Sequence, residues 1–199
     1  SMAFLIGAPG ALLFAYIASL PILLVALSMG LGAAIVAGIS GFFFAGVIGG
    51  TVTVFMYSIL HALPAWLISR QCLQHITSPD GTITWYPVGN ILGLLAICCA
   101  GFMFGGIFLF INDVADVRHL VASYLEEAFT VMAPSLAHSE SKVIVSTLTP
   151  IFPGAMGASW ILMLIINALV AQKLLTKIGH NLRPTPSLVD FTLPHWLAW

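Results

Sequence analysis

The sequence predicts an all-α fold, a polytopic bundle of transmembrane helices with one amphipathic helix at the membrane interface. Three observations carry that prediction. The 199 residues are 60% hydrophobic and 7% charged, where a soluble domain carries roughly a quarter charged residues. No Lys, Arg, Asp or Glu precedes Arg70, and His61 is the one histidine before it. The apolar runs between glycines, prolines and charges approach the ~20 residues that cross a bilayer as a helix.

Taken in order, the first span is expected over residues 10–28, after the turn-like Gly7-Ala8-Pro9-Gly10. Ser1 to Ile6 resemble the tail of an earlier helix. The second span, 30–50, and the third, 51–69, have almost no linker between them and are expected to form a tight antiparallel hairpin. A polar loop over 70–87 holds the turn signal Ser78-Pro79-Asp80-Gly81, with Thr82 to Tyr86 as an extended piece. The fourth span is 88–111.

Asn112 and Asp113 then offer an N-cap to a helix over about 113–133. Val114, Val117, Val121, Tyr124, Ala128 and Met132 share one of its faces, while Asp116, Arg118, His119, Glu126, Glu127 and Thr130 lie off it. Such a helix is too polar to span and is expected at the interface or over the mouth of the bundle. Pro150 and Pro153 suit the start of a fifth span, 151–174, and Gly179 its stop. Arg183 to Pro194 reads as a proline-punctuated connector, and His195 to Trp199 as the start of another span entering the bilayer. The chain is therefore expected to be truncated at both ends.

Five crossings put Arg70, Lys173, Lys177 and Arg183 on one face and Arg118 and Lys142 on the other. The bias of basic residues makes the first face cytoplasmic. Trp85, Tyr86, Trp196 and Trp199 are expected to be interface anchors. Net charge is -1, which points to neither nucleic acid nor strong attraction to anionic lipid. Cys72, Cys98 and Cys99 show no metal or redox spacing and read as packing residues. No metal site and no cofactor are expected.

Polar residues are costly inside a membrane and so are the default functional candidates. Tyr57 and His61 stand one helical turn apart, and Pro64 frees the carbonyl of Leu60 near the same level. They form one candidate ligand site together with Asn167 of the fifth span. The simpler alternatives are a histidine near the headgroups bonded to a neighbouring helix and an interhelical hydrogen bond from Asn167. The adjacent Glu126 and Glu127 diverge around their helix and read as a solvated face.

No carboxylate lies well within any span, which argues against a proton or sodium pump built on one. No GxSxG, HExxH, Walker A or paired intramembrane aspartate is present. No catalytic residue is therefore expected, and any ATP hydrolysis must come from a partner. Small residues recur at helical spacing: Ala37, Gly41, Ala45 and Gly49 form one ridge, Gly30, Ala34 and Gly38 a second, and Gly101 with Gly105 a third. Such ridges let helices approach closely, either within this chain or against another subunit, with Phe42, Phe43 and Phe44 facing lipid or a neighbour.

The Gly-x-Pro-Gly-Ala-Leu-Leu opening with Leu20-Pro21, Leu63-Pro64-Ala65-Trp66, Trp85-Tyr86-Pro87, and Arg183-Pro-x-Pro-x-Leu through Leu193-Pro194-x-Trp196-Leu197 together resemble the YybS-like predicted membrane proteins of bacteria, in the form found in alpha-proteobacteria. That resemblance implies a multi-pass protein of the bacterial inner membrane with further helices beyond both ends. It also implies kinship with the substrate-binding subunits of energy-coupling-factor transporters, which dock on a shared ATPase module. The absence of a His-rich N-terminus argues against the nickel and cobalt type.

Two functions follow as expectations. The first is a substrate-capturing subunit of an uptake system, binding a small, largely uncharged molecule near Tyr57, His61 and Asn167. The second is a non-catalytic accessory subunit that packs against a large membrane complex and binds only lipid.

Overall fold

The computed structural model of the chain describes residues 14–110, 114–133, 138–186, 191–194 and 196. Two compact units emerge, one formed by Ser1–Leu95 with Leu162–Trp199 and the other by Ala96–Ile161. Among the described residues, three helical runs are long and apolar enough to cross a membrane: Leu31–Cys72, Val88–Gly106 and Phe152–Ile178. Phe14–Met29 forms a shorter apolar helix.

That first helix is broken where a continuous span over 10–28 was expected. A helical turn at 14–17 gives way at Ala18 and Ser19, and α1 (Leu20–Met29) begins afresh with Pro21 in its first turn. Proline is harmless there because the first N–H groups of a helix have no intrahelical partner, but it cannot bond back to the carbonyl of Ile17 and its ring crowds that carbonyl, so the ladder lapses over Ala18 and Ser19. Residues 10–13 of the expected span, and the tail at Ser1 to Ile6, lie outside the described residues.

Helix α2 (Leu31–Tyr57), a π-helical turn (Ser58–Ala62) and α3 (Leu63–Cys72) follow without an intervening loop. The run is nonetheless folded in two. Gly50 has φ 70 and ψ -169, a conformation that only glycine adopts cheaply. A Cβ placed on Gly41 would strike the phenol of Tyr57, and one on Gly46 would lie 3.1 Å from Val54 Cγ2. In a straight helix Gly41 and Tyr57 would stand about 24 Å apart. The chain therefore reverses at Gly50, and its arms, 31–49 and 51–72, lie side by side.

The π-helical turn sits just before Pro64, where the N–H of Leu63 reaches back to the carbonyl of Ser58. Proline cannot donate to the carbonyl four residues earlier, so the ladder widens one turn upstream. The core of this unit is close-packed from Leu23 and Ala26 of α1, Ala34 of α2, Ala65 and Ile68 of α3, and Leu164 and Ala171 further along.

Strands β1 (His75–Thr77) and β2 (Ile83–Trp85) pair antiparallel, His75 opposite Trp85. Strand β2 falls within the extended piece expected over Thr82 to Tyr86, and β1 adds a partner strand to it in an otherwise helical fold. The turn between them carries Gly81 N–H to Ser78 O at 2.9 Å and Thr82 N–H to Asp80 Oδ1 at 3.1 Å. Hydrogen bonding to that amide holds the Asp80 carboxyl below its ordinary value. Helix α4 (Val88–Phe110) comes next.

In the second unit, α5 (Val114–Met132) packs against α6 (His138–Leu148). The buried face of α5 centres on Leu125, while Tyr124 and Met132, expected on that face, are exposed. Glu126 and Glu127 are exposed. Within this unit Phe102 meets Trp160 edge to face with centroids 5.7 Å apart. A Cβ on Gly157 would lie 2.7 Å from Cys99 Sγ.

Helix α7 (Phe152–Ile178) completes the set. It ends at Gly179, with φ 72, the N–H of His180 bonding Leu175 O at 3.0 Å and that of Gly179 bonding Thr176 O at 3.3 Å. Those bonds satisfy carbonyls that a helix end otherwise leaves unpaired.

Candidate functional site

Two irregular helix segments meet in the first unit. His61 lies within the π-helical turn, roughly 15 Å by helix rise from either end of the arm 51–72. This places it midway along the arm. Its Nδ1 is 3.1 Å from Ser19 Oγ, the residue where the first helix breaks. Ser19 stands at the N-cap of α1 yet makes no capping bond and is completely buried. The break that Pro21 imposes therefore leaves a hydroxyl available for the histidine.

Tyr57 lies one turn before His61, their ring centroids 6.2 Å apart and tilted by 32°. Its hydroxyl rests in the notch left by Gly41 on the facing arm. Among the described residues neither the Tyr57 hydroxyl nor His61 Nε2 has a hydrogen-bond partner. Each such group costs roughly 2 kcal/mol or more when unmet in an apolar medium.

Asn167 engages the same stretch of the first helix from α7. Its Nδ2 donates to Tyr16 O at 2.7 Å and to Met163 O at 2.8 Å. Both amide hydrogens are thereby used, leaving Oδ1 as an acceptor. The residue is 4% exposed and lines an apolar cavity of about 120 Å³ with Tyr16, Ile17, Leu20, Met163, Ile166 and Val170. Tyr57 and His61 do not line that cavity. The three expected residues thus form two half-sites, joined through residues 16–19 rather than one shared pocket.

The small-residue ridges divide between inner and outer use. Gly41 and Gly49 face Tyr57 and Thr53, so that ridge is occupied by the chain's own hairpin. Ala34 is buried, and Ala37 and Ala45 are half-buried. Gly30, with φ 92, is the junction between α1 and α2. Gly38, Gly101 and Gly105 have open space above them, and Phe42, Phe43 and Phe44 are exposed.

The expected anchors Trp85, Tyr86 and Trp196 are tied into the fold. His75 stacks on Trp85 with centroids 4.9 Å apart, and Trp196 reaches Gly93 of α4. Trp199 and the span start at His195 lie outside the described residues, Trp196 excepted.

Arg183 links these groups. Its Nη1 donates to Cys72 O at 3.1 Å and its Nη2 to Tyr86 O at 3.0 Å. The guanidinium lies 5.7 Å from the centre of the Trp85 ring. Its own carbonyl accepts from Gln172 Nε2 at 2.8 Å. Burial pulls its pKa down from the usual value.

Reading the residues alone missed Ser19, Tyr16, Gln172 and the central position of Arg183. A serine directly before Leu20-Pro21 was the available signal for the first. Arg183 gave none, because its partners are backbone carbonyls that any sequence supplies.

No group of three or more His, Cys, Asp or Glu that could hold a metal occurs among the described residues. What the arrangement offers is hydrogen bonding, by one phenol, one imidazole and one carboxamide, between apolar helices. Apolar helices of spanning length, with their few polar groups turned toward one another, define a membrane protein. The chain belongs to the family of predicted membrane proteins designated DUF2232, whose family model covers residues 1–199. No curated protein matches it significantly. No solved structure does either.

Proposed function

We propose that this protein is the substrate-capturing integral subunit of an uptake system of the energy-coupling-factor type, crossing the bacterial inner membrane several times. Arg70, Lys173, Lys177 and Arg183 lie on the cytoplasmic side. The observation that carries the reading is the pair of unmet polar groups, the Tyr57 hydroxyl and His61 Nε2, held midway along an apolar arm. A ligand that bonds both removes their cost, and binding at the junction of discontinuous helices is a recurring transporter design.

The ligand is small and largely uncharged, because no described carboxylate or cation faces either half-site. One end bonds Tyr57 and His61. An apolar portion enters the cavity beside Asn167, whose Oδ1 accepts a hydrogen bond from an N–H or O–H group at the ligand's other end. The subunit is non-catalytic, and an ATPase module supplies the energy. Gly38, Gly101 and Gly105 with Phe42, Phe43 and Phe44 are the surfaces left for a coupling partner, since Gly41 and Gly49 are used inside the chain.

Mass spectrometry of proteins and small molecules, on full-length protein gently purified from its own membrane, tests this. A stoichiometric metabolite that is lost in Tyr57→Phe and His61→Ala, together with an ATPase pair, supports it. Retention of the metabolite by both variants defeats the pocket. A second reading, the non-catalytic accessory subunit, is favoured by the exposed Phe42, Phe43 and Phe44. Recovery with the subunits of one large complex and with lipid alone would establish that instead.

A further inference from the structure

We infer that the end of the first unit around Arg183 binds the headgroup of an anionic phospholipid, a phosphodiester that also carries hydroxyl groups. This goes beyond the transport reading and does not depend on it. Arg183 is 6% exposed, and a charge so deeply buried needs compensation. Of the five N–H groups of a guanidinium, two donate to Cys72 O and Tyr86 O. The Cys72 thiol beside it is a further hydrogen-bond partner, and none of these partners carries a charge that balances the arginine, burial keeping the thiol protonated.

The surroundings favour an anion. Arg70 lies two residues before Cys72, and Lys173 follows Gln172, whose side chain holds the Arg183 carbonyl. Lys177 is one turn further along α7, on the same side as Lys173, and these three bases are exposed. Against four bases this unit has two acids: Asp80, in the exposed hairpin turn, and Asp190, outside the described residues.

Gln71, next in sequence to the Cys72 whose carbonyl Arg183 holds, has a buried Oε1 with no donor. The phosphodiester meets Arg183 and the lysines, as an anion does most strongly with charged donors.

A lipid, rather than free phosphate, is indicated by the aromatic setting. The guanidinium of Arg70 lies 5.8 Å from the centre of the Trp66 ring, as that of Arg183 lies over Trp85. Arginine and tryptophan paired at the ends of apolar helices mark the level of lipid headgroups.

The test is native mass spectrometry of the full-length protein in detergent, offered dioleoyl phosphatidylglycerol or dioleoyl phosphatidylcholine at equal concentration. Phosphatidylglycerol is expected to be retained at least about tenfold better. Each charge removed should weaken its retention about fivefold, and Lys173→Gln with Lys177→Gln about thirtyfold. Arg183→Lys, which keeps the charge but loses the planar fork, should weaken it also; the lysine pair keeps the test decisive if that variant fails to fold.

Equal retention of the two lipids, or no effect of the lysine pair, overturns the inference. Displacement of phosphatidylglycerol by millimolar glycerol 1-phosphate or orthophosphate overturns the lipid assignment in favour of a soluble phosphate.

Discussion

The reversal at Gly50 makes a sharp prediction about Gly41. A methyl added there would lie 2.5 Å from Tyr57 Cζ and closer still to the hydroxyl, about 1 Å inside ordinary carbon contact. The ring is rigid, so the whole side chain must swing, losing its notch and its stacking on His61. Overpacking of this kind costs about 1–3 kcal/mol.

The same methyl at Gly38, which has open space above it, costs nothing by this route and replaces a helical glycine by a better helix former. A double-mutant cycle in bilayer discs, with reversible unfolding measured for Gly41→Ala, Tyr57→Ala and the pair, reads the coupling. Tyr57→Ala removes the obstacle, so the pair should be more stable than the sum of the single losses by about 1–2 kcal/mol. Strict additivity, or equal losses from Gly38→Ala and Gly41→Ala, would show that the two arms do not lie against each other and would refute the reversal.

Three further outcomes are expected. A Cβ on Gly89 would strike the backbone carbonyl of Thr192, which cannot move aside as a side-chain tip can; Gly89→Ala should lower the unfolding temperature, whereas Gly101→Ala, in open space, should not. Asn167→Ala removes one interhelical bond, the one to Tyr16 O, and should cost about 0.6–1 kcal/mol in the same unfolding assay. The Asp80 carboxylate, held down by its bond to Thr82, supports the hairpin turn above the ordinary carboxylate pKa and loses that support as pH falls through its own lower value. The Thr82 amide resonance should therefore titrate below the usual Asp range and stop titrating in Asp80→Asn.

Much of the architecture was legible because apolar runs of spanning length leave a chain little choice but helix. Proline and glycine then punctuated it: Pro153 and Gly179 bracket α7, and Ser78 to Gly81 turn the ribbon. The break at Ser19 was written in Pro21 but was overridden by the apolar run around it, since composition carries no information about a local kink. Helix α6 went unread because its β-branched Val143, Ile144 and Val145 depress helix propensity, and packing against α5 decided the matter.

The candidate site was half legible. The chemical scarcity of Tyr57, His61 and Asn167 in apolar helices singled them out. Their division into two half-sites depends on which carbonyls and hydroxyls the broken first helix exposes, and no residue type signals that. The Ala37 to Gly49 ridge was visible as a surface for close approach, yet which helix fills it depends on the fold-back at Gly50.

The bonds that Arg183 makes also impose an order of events. Cys72 and Tyr86 lie 111 and 97 residues before it in the chain. At a synthesis rate of about 5–20 residues per second, the carbonyls at the ends of α3 and the ribbon wait roughly 5–20 s for the guanidinium that will hold them. Until then, α1, α2 and α3 can be inserted but not latched, and Gly89 has no backbone lying across it. A nascent chain halted before Arg183 should remain open to chaperones and membrane proteases at the end that Arg183 ties together in the finished protein.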